Sequence, residues 1–415
     1  MEWLSEIGLA LLRMFLQPYI YIFFGLVWLS GYLRIKKDRR SFNVKVFPYF
    51  KEVSGTWSIA ILSGLIISFL SIAAGFILPL YVTIFIGLLL LVSFIINSFG
   101  WLSSGYILPM AALAIFLVNQ YGENYLSEFL ITAFEQVDLS LLAILLGLLL
   151  FAEAWLIRRG NGMDSFPELK KSKRGKFVGL HRLKKITIIP FFALLPSGLL
   201  EPIAPWWPLL DIGGESFGLI LIPYVVGFEY KIKSMLTSVA SKQLAAQHFL
   251  LATLVLIAGV TGYFYPISIL IAFLLAFIGK EIIQITFKWR DEKEPMYFQP
   301  GQKGLQVLGV LPDSPAIDLG LIPGEKIISV NDIQVDSEEE FYHAVSKSRA
   351  SCKLTVEDLN GELRFARRAL YEGEHHELGV LFIKDGSFYH RLENFYTEQD
   401  PIEESVDKVD AHDGR

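Results

Sequence analysis

A single cysteine, Cys352, in 415 residues leaves no intrachain disulfide and no all-cysteine metal site to build. It fits a soluble portion on the reducing side of a membrane. Charge is also scarce. Asp, Glu, Lys and Arg make up 19% of the chain, against roughly 25% in ordinary globular domains. The AVILMFWYC set reaches 53%, which argues against a wholly soluble single-core enzyme. The first 290 residues are almost free of histidine, with no His-Glu-x-x-His pair to hold a catalytic zinc. No apolar segment offers a Gly-x-Ser-Gly matched by a histidine on a second one, which argues against a serine protease inside the membrane. His248 opens its segment alone.

What remains is apolar length and a split in charge. Residues 1–290 carry 24 Lys/Arg against 16 Asp/Glu, and 291–415 carry 13 against 26. The formal net charge of -5 is therefore the sum of a basic apolar part and an acidic soluble part. Runs of about 20 apolar residues, enough for ~30 Å of hydrocarbon, lie near 14–33, 57–78, 79–99, 101–120, 139–157, 186–204, 212–230, 246–264 and 265–287. The first is followed by its basic cluster and by no small-residue cleavage site, so it reads as a retained anchor. The expectation is a polytopic α-helical membrane domain over 1–290 with eight or nine spans. The uncharged turn at 98–103 and the first dozen residues, with Glu6 and Arg13, leave that count open.

Of the 24 basic residues, 22 fall in one alternate set of loops: 34–51, 158–185, 231–242 and 288–290. Two intervening connections are acidic, with Glu123, Glu128, Glu135 and Asp138 in one and Glu201, Asp211 and Glu215 in the other. The positive-inside rule makes the basic loops and the C-terminal region cytoplasmic. The 158–185 loop, with ten basic and two acidic residues, either contacts anionic lipid headgroups or an acidic partner, or is only a topology signal. Ionisable residues inside spans are few. Glu153 lies near the end of its span, within reach of Arg158 or water. Lys280 and Glu281 sit where the last apolar run turns amphipathic, so all three are expected to snorkel toward the cytoplasmic face. The prolines at 190, 196, 202, 205 and 208 with Trp206 and Trp207 read as a broken helix end with aromatic anchors.

The C-terminal part is legible in small steps. Residues 304–311 alternate as a short strand, and Ser314 can cap a short helix that has Pro315 at its first position. Gly320 suits the left-handed position after that helix, Pro323 and Gly324 make a turn, and 326–330 is a strand closed by Asn331 and Asp332. Ser337 caps a second helix with acidic residues in its first turn and Phe341 and Val345 on one face. Residues 352–370 form a hairpin turning at Asn360 and Gly361, both with positive φ.

Ser314-Pro315-Ala316, then Gly320-Leu321, Gly324-Glu325 and Asn331 in that order resemble a bacterial PDZ domain over 295–384. Asp332 stands where that pattern has glycine. The resemblance implies a small α+β fold, a partly open β-barrel with two short helices, that binds an extended C-terminal peptide as an added strand. The usual carboxylate loop is not plain before Gly304. Leu378, Gly379, Val380 and Leu381 resemble it in permuted order, or form a plain closing strand. The groove wall would then be the helix face holding Glu340 and Ala344. His375 and His376, with Glu374 and Glu377, are not expected to hold a metal. Residues 385–415 read as an acidic, flexible tail; Phe388, Tyr389, Phe395 and Tyr396 could instead form a partner-binding element.

A multi-span membrane part followed by one such domain is similar to the MinJ family of topological determinants of cell division. The resemblance implies a non-enzymatic cell-membrane scaffold at septum and poles. It would link a DivIVA-like landmark protein to a MinD-like division inhibitor and to other divisome components, with no cofactor and no nucleic acid. Two other classes remain open: an intramembrane protease regulated by its PDZ domain, and a transporter with a regulatory PDZ domain.

Overall fold

The computed structural model describes residues 2–122, 126–172, 175–201, 216–299, 303–347, 351–370 and 378–383. The chain divides into two compact units, Met1–Phe166 with His181–Glu294, and Pro167–Leu180 with Pro295–Arg415.

The first unit is built on nine helices among the described residues: α1 (Glu2–Met14), α2 (Tyr19–Phe42), α3 (Trp57–Ala74), α4 (Leu80–Asn97), α5 (Ser104–Tyr121), α6 (Glu128–Glu135), α7 (Leu139–Arg158), α8 (Thr237–Thr261) and α9 (Ile267–Lys293). Helices α3, α5, α7, α8 and α9 are long and apolar enough to cross a membrane, and α1 with α2, bent by 46° at their break, makes a sixth candidate. The chain is a membrane protein with a helical membrane region. Local chemistry sets the helix ends. Asp138 accepts from Ser140 N and Leu141 N at the start of α7, and Ser103 accepts from Gly105 N at the start of α5. Helix α7 is the centre of the bundle, with 78% of its apolar window buried against 28% for α9.

Two of the nine expected spans are not helices. Residues 186–204 and 212–230 fall largely on the long strands β2 (Phe177–Leu200) and β3 (Phe217–Ile232), which pair antiparallel; β1 (Phe166–Lys171) adds on the other side of β2. Hydropathy misleads here because a strand buried on both faces is as continuously apolar as a span. Ile186, Thr187, Ile188 and Ile189 on one strand and Val225 and Val226 on the other favour extended backbone. Pro190 and Pro223 would break a helix at mid-length.

A strand among lipid-facing helices is tolerated only if protein covers its edges, and hydrogen bonds from flanking segments meet both outer edges of this hairpin. On β2, Ile186 N donates to Glu52 O at 3.3 Å, Phe192 N to Ser68 Oγ at 2.9 Å and Leu194 N to Phe76 O at 2.9 Å, while Leu194 O accepts from Leu78 N. On β3, Leu219 N donates to Glu6 Oε2 at 3.0 Å, Leu219 O accepts from Arg13 Nη1 at 2.7 Å and Leu221 O from Gln17 Nε2 at 2.8 Å. Pro190 and Pro223 lie opposite each other in the register, in phase with those outward-facing residues. Neither has an N–H to satisfy. Glu6 and Arg13 thus serve the hairpin from α1, which explains why an apolar N-terminal helix carries them.

The second unit holds a sheet in the order β4 (Leu305–Gln306), β6 (Lys326–Val330), β8 (Ser351–Glu357), β9 (Leu363–Ala369), with β7 (Ile333–Gln334) also on β6. A separate two-stranded ladder joins β5 (Gly309–Val310) to β10 (Val380–Leu381). Between them lie α10 (Pro315–Asp318) and α11 (Glu338–Lys347). Strand β8 alternates buried and half-buried residues along its length, as a sheet with one core face requires. The strand expected over 304–311 is broken into β4 and β5. At the 358–362 turn only Gly361 has positive φ, since Asp358 organises the turn by accepting from Asn360 N at 2.8 Å and Glu362 N at 2.9 Å.

Candidate functional site

Most of the motif residues of the second unit hold its fold. Pro315 opens α10, and Ala316 N donates to Leu378 O at 3.0 Å, tying the helix to the chain entering β10. Ser314 does not cap through its side chain; its hydroxyl donates to Leu311 O. Gly320 takes φ 67° after the helix, and Leu321 N returns to Ala316 O at 3.1 Å. Gly324, at φ 103°, donates to Val307 O. Beside it the buried Glu325 carboxylate accepts from Ile322 N and is forked by Arg364, at 3.0 Å from Nε and 2.8 Å from Nη2. Asn331 and Asp332, at φ 50° and 64°, form the tight turn between β6 and β7. Asn331 also donates to Ala344 O and accepts from Lys353 N, so one side chain joins the turn, α11 and β8. Cys352 is buried on β8, and burial pushes its thiol up to about 11, so it is not a reactive thiolate.

The structure brings Leu378, Gly379, Val380 and Leu381 together as the strand that pairs with β5 and passes beside α11, where Phe382 meets the Phe341 ring at 5.0 Å. Leu311 N donates to Gly379 O at 2.8 Å. In an antiparallel ladder bonded and non-bonded pairs alternate, so the next pair, Val310 with Val380, directs the Val380 backbone away from β5. Among the described residues β10 has no second ladder partner. Gly379 has φ 79°, and a Cβ there would lie 2.2 Å from Ser314 Cβ. Contact inside the domain by itself requires the glycine. Glu340 takes part in capping α11. It is exposed, its carboxylate accepts from Asp336 N and its own N–H donates to Ser337 Oγ, a reciprocal cap that starts α11. Ala344 is fully buried. Residues 371–377, with His375 and His376, and the tail aromatics lie outside the described residues.

The membrane region holds a second group, which reading residues singly did not bring together. Glu153 on α7, Lys280 on α9 and His248 on α8 are all at 0% exposure. Glu153 and Lys280 are therefore enclosed by protein and do not snorkel to the cytoplasmic face, contrary to the expectation from their positions along the spans. Lys280 Nζ donates to Glu153 Oε1 and lies 2.8 Å from His248 Nε2, and Ser103 donates to Glu153 Oε2 at 2.6 Å. Tyr230 of β3 reaches the same His248 Nε2 at 3.0 Å, and His248 Nδ1 sits 2.7 Å from Leu244 O. A carbonyl only accepts, so Nδ1 carries the hydrogen and Nε2 offers one lone pair to two donors. Glu281 is separate and accepts from Tyr106 at 2.8 Å. The sequence signal was the coincidence of a lone acid, a lone base and a lone histidine on three apolar helices, where each is costly unless paired.

No protein-family model matches the chain. Among curated proteins, the cell division topological determinant MinJ of Bacillus subtilis (strain 168) is 32% identical over 383 residues, covering 91% of this chain and 96% of the relative. A probable cell division topological determinant MinJ of Lacticaseibacillus paracasei is 23% identical over 359 residues, 85% of this chain and 91% of the relative. The same figures hold for its counterpart in Lacticaseibacillus casei (strain BD-II). Identity at that level over nearly the whole of both chains spans the membrane region and the C-terminal unit alike, and this chain belongs to the MinJ family of cell division topological determinants.

Proposed function

We propose that the protein is a non-enzymatic scaffold for division-site placement, concentrated at septum and poles. Its second unit would be a cytoplasmic PDZ-type module that takes an extended peptide on the outward edge of β10, between that strand and α11. The observation that carries this reading is the ladder geometry. Val380 presents a backbone N–H and C=O on an edge that has no second strand among the described residues, which is what strand addition uses. The partners proposed are a DivIVA-like landmark and a MinD-like inhibitor. The charge pattern supports the orientation. With the shorter apolar helix α4 counted as a span, removing the two strands from the expected spans leaves the parity of every other loop unchanged, so 22 of 24 basic residues still share one side with the C-terminus.

The test is titration of the full chain in nanodiscs with purified DivIVA-like and MinD-like proteins, comparing the native protein with Val380→Pro. Proline removes the outward N–H but takes nothing from the β5 ladder, because Val380 does not bond to β5. Loss of one partner in a Val380→Pro protein whose C-terminal amides remain protected from exchange supports the reading. Unchanged affinity for both refutes this edge as the site.

A further inference from the structure

The basic connection between α7 and α8 is not a free loop. Residues 167–180 belong to the C-terminal unit, and their polarity is sorted accordingly. Pro167, Leu169, Phe177, Val178 and Leu180 are buried, whereas Lys170, Lys171 and Lys176 are exposed. The contacts converge on the β5–β10 ladder. Gly179 N donates to Phe298 O at 3.2 Å, and a Cβ on Gly179 would lie 2.4 Å from Leu308 Cδ1 and 2.8 Å from Phe298 Cβ. From the other strand of the segment, Pro167 packs on Gly309, where a Cβ would meet Pro167 Cγ at 3.1 Å and Leu381 Cδ1 at 3.3 Å. One residue of β5 is thus flanked by the segment and by a residue of β10.

A ladder of two residues on each strand is not stable alone and needs a packed cover. Here much of that cover comes from a stretch of chain over a hundred residues earlier, enclosed in sequence between two membrane helices. We propose that residues 167–180 are a working part of the recognition module. The edge of β10 is competent only while this segment is seated under β5, so binding there is conditional on a piece of the membrane part's own loop. The inference rests on the strand-addition reading for its functional half. Its structural half stands without it.

The experiment uses the full chain in nanodiscs and three forms: native, Gly179→Val, and Gly179→Val with Leu308→Ala, which removes the nearest atoms that the new side chain would strike and leaves Phe298 Cβ at 2.8 Å. Hydrogen exchange at 307–311 and 378–382 should accelerate about tenfold or more in Gly179→Val, with β6 and β8 unchanged, and should recover in part in the double variant. Exchange that rises only within 166–180 would overturn the structural half. The binding probe is a phage-displayed library of random C-terminal peptides selected on the native protein. Selected peptides should lose at least tenfold in affinity on Gly179→Val and regain part of it on the double variant. Equal affinity on native protein and Gly179→Val would overturn the inference and leave the strand-addition reading intact. Failure to select any peptide on the native protein would count against that reading, and with it against the functional half, while exchange still decides the structural one.

Discussion

The pairing of Glu153 with Lys280 makes a sharp energetic prediction because both side chains are fully buried. Lys280→Met leaves a carboxylate whose remaining hydrogen bond is the Ser103 hydroxyl, and Glu153→Gln leaves an ammonium facing His248 Nε2. Removing one partner of a buried pair costs about 3–5 kcal/mol, while replacing both by neutral groups is close to neutral. At roughly 2 °C per kcal/mol for a unit of this size, each single variant should melt about 6–10 °C below the native protein. The double variant, Glu153→Gln with Lys280→Met, should recover most of that loss. Tyr230→Phe provides an internal control. It removes one of two donors competing for a single lone pair on His248 and should change the melt by no more than about 2 °C, at most one ordinary hydrogen bond. The assay is thermal melting of the full chain in nanodiscs, read by size-exclusion of a fluorescent fusion. Single variants that melt with the native protein, or a double variant as unstable as the two single losses added, would refute the buried pairing.

Gly379→Val should destabilise the C-terminal unit by several kcal/mol, since it adds a positive-φ penalty to a clash with Ser314; limited proteolysis should show cleavage of that unit with the membrane helices intact. Glu325→Gln should cost about 1–3 kcal/mol by removing the charge from a forked Arg364 bond, readable as faster hydrogen exchange across the 319–325 turn. Asn331→Gly keeps the turn geometry but leaves Lys353 N and Ala344 O without this partner, so it should also cost about 1–3 kcal/mol despite favouring the backbone angle. A cysteine placed at Lys170, exposed on β1, should react with an impermeant maleimide only after cells are opened; labelling from outside intact cells would contradict a cytoplasmic C-terminal unit.

The parts of the chain legible in sequence are those whose determinants are local. Pro315 at a helix start, Gly320 after its end, and Asn331-Asp332 at a turn each act on the backbone within a few residues, and the structure uses all of them as read. The hairpin was missed because hydropathy measures burial and not backbone conformation. The discriminating marks, Pro190 and Pro223, make sense only once their register opposite each other is known. The Glu153–Lys280 pair joins residues 127 apart, and distance along a helix from its end says nothing about whether a neighbouring helix closes over it. The capping bond of Glu340 was not read from the sequence, because it depends on the turn before the helix: its carboxylate accepts from Asp336 N. The basic character of 158–185 was visible, but Lys170, Lys171 and Lys176 are solvated positions on a segment whose apolar residues belong to the C-terminal unit, while Lys184 and Lys185 are buried in the first unit.

The most direct test of the division-scaffold reading is where the protein goes in a living rod-shaped cell. A fluorescent fusion to the full chain, expressed from its own locus at native level, should concentrate at mid-cell before constriction and persist at the new poles, several-fold above the lateral wall. An even outline of the cell membrane in dividing cells, with the fusion intact and functional, would contradict a scaffold for division-site placement.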